Sequence, residues 1–343
     1  MKKKIIIGGI LLLLLLIGGY FLLFKKEEKK PIKKEEKKVE EKEPEKPKLK
    51  IMDVNSKSRP IAIMINNHAQ ARPNHAGLQD AYLMYEVIVE GGITRMMAVF
   101  KDANTEKIGS VRSARPYFLD YALENDAIYV HYGYSEQAKN DIASLGINNI
   151  NGLYDEAFWR DKSLNVNYEH TAFTSMEKIK AMIDNKKYRN TTTEDTLLNY
   201  SVNNIDISTK EGAVVANEIK IPYSYYMTTS YTYDATNNYY LRFANSVPHT
   251  DAITKQQYHF KNIIVANIEN YTTTEGDGRQ GLNNIGKGNG YFITNGYAVP
   301  ITWEKSSRSG QTVYRYLNGE EITVNDGNTF IQIQPVNQVT TIS

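Results

Sequence analysis

Apolar and polar positions along the chain fall into three regimes. Ile5 to Phe24 reads IIIGGILLLLLLIGGYFLLF with no charged side chain, and a helix of about 20 apolar residues crosses a hydrocarbon core of roughly 30 Å. A transmembrane anchor is expected there. Lys25 to Lys50 is nearly all Lys, Glu and Pro. Such a segment buries too little apolar surface to offset chain entropy, which predicts a disordered stalk. From Asp53 onward the pattern is that of a folded region.

Within that region the periodicity changes near residue 215. Before it, Ile61 to Ile65, Ala81 to Val89 and Thr94 to Phe100 read as strands, the last two separated by the turn Gly91-Gly92. Pro116 to Glu124 reads as a helix with Pro in its first turn. Ala127 to Tyr132 returns to strand, Ser135 caps a helix closed by Gly146, and Thr174 or Ser175 caps another through Ile183. This alternation predicts an α/β layer domain over residues 53–185. The Asn- and Thr-rich stretch 186–215 is expected to be a linker or long loop. Over 216–337 helical periodicity vanishes, and short runs such as Tyr239 to Phe243, Asn262 to Ile268 and Thr329 to Gln334 are divided by turn dipeptides such as Asn295-Gly296 and Asn318-Gly319. That predicts a mainly antiparallel β domain, followed by a tail from residue 338. The G-K-G-N-G run at 286–290 reads as a hairpin turn; it lacks the Lys-Ser/Thr ending of a phosphate loop and opens no helix.

Charge sharpens this picture. Residues 1–50 hold fifteen Lys and eight Glu, leaving 26 basic and 31 acidic residues for the remainder, so the folded region is mildly acidic although the whole chain is +2. Nucleic-acid binding has no electrostatic footing there. Lys2, Lys3 and Lys4 precede the apolar run, which predicts a cytoplasmic N-terminus and a single-pass protein with its folded domains on the extracytoplasmic side. A signal peptide would have a shorter apolar run and end in small residues, but this run ends in Tyr20, Phe21, Leu22, Leu23 and Phe24. The chain has no cysteine, so it carries neither a lipid-modified cysteine nor a disulfide.

Several segments, RPIAIMINNHAQARPNHAGLQDAYLMYEVIVEGGITRMMAVF, KIGSVRSARPYFLDYA and DAIYVHYGYSEQA, with TDAITKQQYHFKNIIV and GYFITNGYAVPITWEK later, resemble the YerB-like lipoproteins of low-GC Gram-positive bacteria. The resemblance covers about residues 58–337. It implies an N-terminal and a C-terminal domain, both of unknown function, located outside the membrane, and no established reaction. Where members of that family commonly carry a lipidated cysteine, this chain has the apolar run.

Candidate chemistry centres on a few residues. Glu86 and Glu90 share a face of a strand, roughly 13 Å apart along the backbone, beyond the roughly 5–9.5 Å at which paired carboxylates cooperate on a glycosidic bond. Either could act singly as a buried general acid, or anchor an ion pair with an arginine. Arg95, Arg112 and Arg115, the last two flanking Ser113 just before a helix, could converge on a carboxylate or phosphate. His131 ends a strand, where α/β sheets place ligand crevices, and Asn67 lies in a polar loop beside His68. No histidine spacing suggests a metal site, no motif suggests a cofactor, and no G-x-S-x-G elbow exists. Two readings follow: a cell-envelope binding or scaffolding module with an anion-accepting cleft, partnered by peptidoglycan or an envelope protein, or a peptidoglycan- or glycan-cleaving enzyme using Glu86 or Glu90, with His131, as acid and base.

Overall fold

The computed structural model describes residues 49–343, Val54 and Glu275 excepted. The anchor expected at Ile5 to Phe24 and the stalk lie outside the described residues. Among those described, no helix is long and apolar enough to cross a membrane.

An eleven-stranded sheet forms the centre of the fold. Its order, by residue range, is Val214–Val215, Tyr297–Lys305, Gly286–Thr294, Asn262–Ile268, Thr329–Pro335, Leu83–Ile88, Thr94–Phe100, Ile61–Asn66, Ile128–His131 and Asn149–Asn151, with Val313–Tyr316 on Tyr297–Lys305. The change of texture at residue 215 therefore does not divide the sheet. Thr329–Pro335, from the far end of the chain, lies between Asn262–Ile268 and Leu83–Ile88 and is parallel to both. All seven of its residues are buried. Contacts between the two halves of the sequence thus pass through the middle of one sheet.

The predicted strands arise where the period-two pattern put them. In Leu83–Ile88, Leu83, Tyr85 and Val87 enter one core while Met84 and Ile88 enter the other, the alternation that a sheet buried on both faces requires. One face is covered by the helices Pro116–Glu124 and Glu136–Ser144 and by Leu197, Leu198 and Ile207 of the segment between the sequence halves. The other is covered by a six-stranded antiparallel sheet, including Glu218–Ser224, Met227–Asp234 and Tyr239–Ala244, and by the helix Met176–Asn185. Ser135 and Ser175 cap their helices, accepting from Ala138 N and Lys178 N.

One sequence expectation is corrected. G-K-G-N-G is no turn: it forms the first half of the strand Gly286–Thr294, paired throughout with Tyr297–Lys305. Glycine is tolerated there because Trp303 fills the vacated space. A Cβ on Gly288 would lie 2.7 Å from the Trp303 indole nitrogen, and cross-strand aromatics compensate strand glycines in this way.

Strand directions define two edges. Ile61–Asn66, Leu83–Ile88, Ile128–His131, Asn262–Ile268 and Thr329–Pro335 all run the same way. The chain joins the fold near their amino ends, where Lys50 N and Ile51 N donate to Asp326 carboxylate oxygens at 2.8 and 3.0 Å. Their carboxyl ends form the opposite edge.

Candidate functional site

The segment between Gly109 and Pro116 threads across the carboxyl-end edge. Arg112 N donates to Met64 O, Tyr132 N to Arg112 O, and Ala114 N to Gly133 O. This wedges Arg112, Ser113 and Arg115 between the ends of Ile61–Asn66 and Ile128–His131. The Glu90–Gly92 turn lies alongside, made possible by left-handed glycines at 91 and 92, both with φ of 69°.

Four of the expected residues come together here. Glu90 accepts from Arg115 Nε and lies 3.7 Å from Arg95 Nη2. Arg95 Nη1 donates to Ser113 O at 2.8 Å. Burial pushes the Glu90 carboxyl up, but the hydrogen bond and charge of Arg115, helped by Arg95, outweigh it and leave it below the usual range. Burial, then the neighbouring Arg115, lowers the Arg95 guanidinium to about 9. The Ser113 hydroxyl is already spent, donating to Tyr132 O at 3.0 Å.

Arg112 reaches outward from this group. Its Nη2 lies 3.3 Å from Glu169 Oε1. Burial lowers its pKa, and the nearby Arg115 and Arg160 charges add to the effect against Glu169 and Glu90. Arg160 lies 4.1 Å from the ring centres of both Tyr132 and Tyr168 and donates to Tyr168 O at 2.7 Å. The patch therefore holds Arg95, Arg112, Arg115 and Arg160 against two carboxylates, Glu90 and Glu169.

His170 adds a hydrogen-bond donor. It is 1 % exposed and stacked on His68 with ring centres 4.7 Å apart. The Asn66 amide donates to its Nδ1 at 2.7 Å, so the neutral ring carries its proton on Nε2. That nitrogen makes no hydrogen bond among the described residues and lies 3.7 Å from Glu169 Oε1, the carboxylate that also faces Arg112. Sequence reasoning missed Arg160 and Glu169 and gave His170 no role. They lie 45 or more positions beyond Arg115, and only the Arg112 to Glu169 contact reveals the grouping.

The other expected residues lie elsewhere. Glu86 is 0 % exposed and accepts from Asn67 Nδ2 at 3.0 Å, Thr94 Oγ1 at 2.7 Å, Thr229 Oγ1 at 2.9 Å and Arg242 Nη2 at 2.9 Å. The carboxylate is closed on every side. Asn67 belongs to that network and does not face the arginines. His131 is buried too; its ring nitrogens meet Gly133 O at 2.7 Å and the Asn149 amide at 3.1 Å. Burial holds its pKa below the ordinary value. Neither Glu86 nor His131 is positioned to reach a substrate. Among the described residues no group of three or more His, Cys, Asp or Glu side chains could hold a metal ion.

Comparison with known proteins agrees with this architecture. Residues 49–189 match the family described as "Protein of unknown function (DUF3048) N-terminal domain" and residues 219–331 its C-terminal counterpart. The chain is 30% identical over 277 residues to "Putative lipoprotein YerB" of Bacillus subtilis strain 168, covering 78% of this chain and 76% of that one. The crystal structure of YerB protein from Bacillus subtilis superposes with a TM-score of 0.74 at 28% identity, covering 87% of this chain and all of that one. The chain thus belongs to the YerB-like family, with its paired N- and C-terminal DUF3048 domains.

Proposed function

We propose that the folded region is a cell-envelope binding or scaffolding module, held outside the cytoplasmic membrane by the apolar segment at Ile5 to Phe24, and that the Arg112, Arg160 and His170 surface accepts an anionic group of a wall polymer or envelope protein. The carrying observation is the surplus of guanidinium groups over carboxylates: Arg95, Arg112, Arg115 and Arg160 share only Glu90 and Glu169. Desolvated cations that repel one another gain most from an incoming anion. The description of the Bacillus subtilis relative as a lipoprotein supports a membrane-attached exterior location. The sealed surroundings of Glu86 weigh against a glycan-cleaving reaction through that residue.

Binding of the chain to purified cell-wall sacculi, with and without their anionic polymers, tests the reading. Retention that falls when the anionic polymers are stripped, and again in Arg112→Ala, is the expected result. Release of soluble wall fragments by the wild type would instead establish an enzyme, and equal retention by Arg112→Ala would remove this patch from the binding surface.

A further inference from the structure

A groove of about 600 Å³ lies elsewhere on the same edge, a volume in the range of small-ligand sites. It opens where a central strand stops before its neighbours. Asn262–Ile268 pairs as far as Ala266 opposite Gly290 on one side and Ile268 opposite Pro335 on the other, and the chain then leaves for the Asn270–Thr272 and Gln280–Leu282 hairpin. Gly286–Thr294 runs on to Gly286 opposite Lys305, and Val336 to Thr340 follows Thr329–Pro335. Both stretches line the groove and form its two walls.

The walls carry polar side chains that the fold does not use. Lys287, Asn289 and Tyr291 alternate along Gly286–Thr294, so they leave it by one face, about 13 Å from first to last. Gln338 comes from the other wall. None of these four side chains makes a hydrogen bond or ion pair among the described residues. Their neighbours are engaged: Asn267 Nδ2 donates to Gln334 Oε1 at 2.9 Å, Asn283 Nδ2 to Glu269 Oε2 at 2.8 Å, and Thr340 Oγ1 to Gln334 Oε1 at 2.7 Å. The lining holds one ammonium, Lys287, and one carboxylate, Glu269. In contrast to the arginine patch, the groove therefore has no net charge to select an ion.

We infer that this groove binds a neutral oligosaccharide. The carboxamides of Asn289 and Gln338 and the phenol of Tyr291 each both donate and accept, and sugar hydroxyls do the same. A carboxylate or phosphate only accepts and an ammonium only donates, so either leaves half of this set idle. An alkyl chain would strip water from the carboxamides and give nothing in return. Val336 and Val339, both exposed beside Gln338, offer apolar surface to the C–H face of a sugar ring. The row from Lys287 to Tyr291 is long enough for more than one ring. A free oligosaccharide and the glycan of a wall polymer share this chemistry. The site is separate from the arginine patch and stands whether or not that patch binds an anion.

The test uses the full chain in lipid nanodiscs, so that no glycoside detergent competes, with the tetrasaccharides of N-acetylglucosamine and of glucose as probes. Saturation-transfer difference NMR is expected to show transfer from protein to at least one of them, and titration gives its affinity. Asn289→Ala and Gln338→Ala are each expected to weaken that affinity by about five- to tenfold. Since neither side chain bonds within the fold, both variants should melt with the wild type. Inorganic phosphate, which fits the arginine patch, should not displace the sugar. Sacculi stripped of anionic polymers that compete with the tetrasaccharide would assign the groove to wall glycan, and competition by soluble sugars alone would assign it to a free oligosaccharide. No transfer to either probe, an affinity unchanged in both variants, or displacement by phosphate would overturn the inference.

Discussion

Glu86 Oε2 and Arg242 Nη2 meet at 2.9 Å with both side chains sealed from solvent, joining the central sheet to the antiparallel sheet packed on it. The two residues are 156 positions apart. Burial opposes the charge on Arg242, but the Glu86 carboxylate more than offsets this and holds the guanidinium above its ordinary value. A carboxylate that reads as a candidate general acid in the sequence is thus an internal counter-ion. Removing one partner strands the other charge, so Glu86→Gln and Arg242→Met are each expected to cost about 3–5 kcal/mol. The double variant should be less destabilised than the sum by at least about 1 kcal/mol. Urea unfolding of the three variants measures this, and strict additivity would mean the pair is not coupled.

Arg242 continues into a chain of histidines whose protonation is set by geometry. Arg242 Nη1 donates to His249 Nδ1 at 2.6 Å, His249 Nε2 meets His75 Nδ1 at 2.8 Å, and His75 Nε2 meets Asn66 O at 2.5 Å. Each ring is neutral with its proton on Nε2. Burial lowers His75 to about 3, and burial with the Arg242 charge puts His249 well below its ordinary range. Below pH about 6.5 the unfolded chain binds protons that the folded chain refuses, so stability falls with pH, by about 1.4 kcal/mol per unit for each such histidine. Going from pH 7.5 to 5.0 should cost about 2 kcal/mol through His75 alone. His75→Asn should flatten that slope, and an unchanged slope would show that His75 is not held neutral.

Glu90 holds Arg95 and Arg115 together in the arginine patch. Glu90→Gln keeps the side-chain shape and releases two cations. The variant is expected to lose about 1–2 kcal/mol of stability and to gain more stabilisation from added inorganic phosphate than the wild type does. Thermal shift against phosphate concentration, at constant ionic strength, checks both. A smaller phosphate effect in Glu90→Gln would mean that the released arginines do not serve the anion.

Gly91 and Gly92 share a φ of 69°, but their surroundings differ. A Cβ on Gly91 meets nothing within 4 Å, while one on Gly92 comes within 3.0 Å of Ser224 Oγ and 3.1 Å of the Tyr226 ring. Gly91→Ala should therefore cost about 1 kcal/mol for its backbone conformation alone. Gly92→Ala should cost more, and should also loosen the Ser224 hydrogen bond to Gly92 O that ties this turn to the second sheet. Equal melting temperatures would contradict the difference in packing.

The central position of Thr329–Pro335 bears on dissection of the chain. Without it, Leu83–Ile88 and Asn262–Ile268 each lose a parallel partner along most of their length. A fragment ending at residue 209 is expected to be aggregated or unfolded, since it exposes a long apolar strand edge. Co-expression with residues 210–343 should restore soluble protein. A monomeric, cooperatively folding N-terminal fragment would show that the seam is dispensable.

Local patterns determined the elements. Thr94–Phe100, Pro116–Glu124 and Asn262–Ile268 fall where period, Pro position and β-branched runs put them, because each depends on neighbours a few residues away. G-K-G-N-G misleads because glycine signals turns locally, and only Trp303 across the hairpin makes it strand. Arg95, Arg115 and Glu90 were legible as a group from the short span they share. Arg160, Glu169 and His170 were not, since the strand Phe158–Arg160 and the turn Tyr168–His170 bring them in from farther along the chain.

Composition alone implies an apolar N-terminal segment, a charged stalk and a mildly acidic folded region, because those properties add residue by residue. Whether Glu86 is reactive or inert was decided by Arg242, Thr229 and Asn67, which reach it only when two sheets stack. Burial and pairing depend on which surfaces meet, and a linear pattern records which face a side chain leaves by, never what waits opposite.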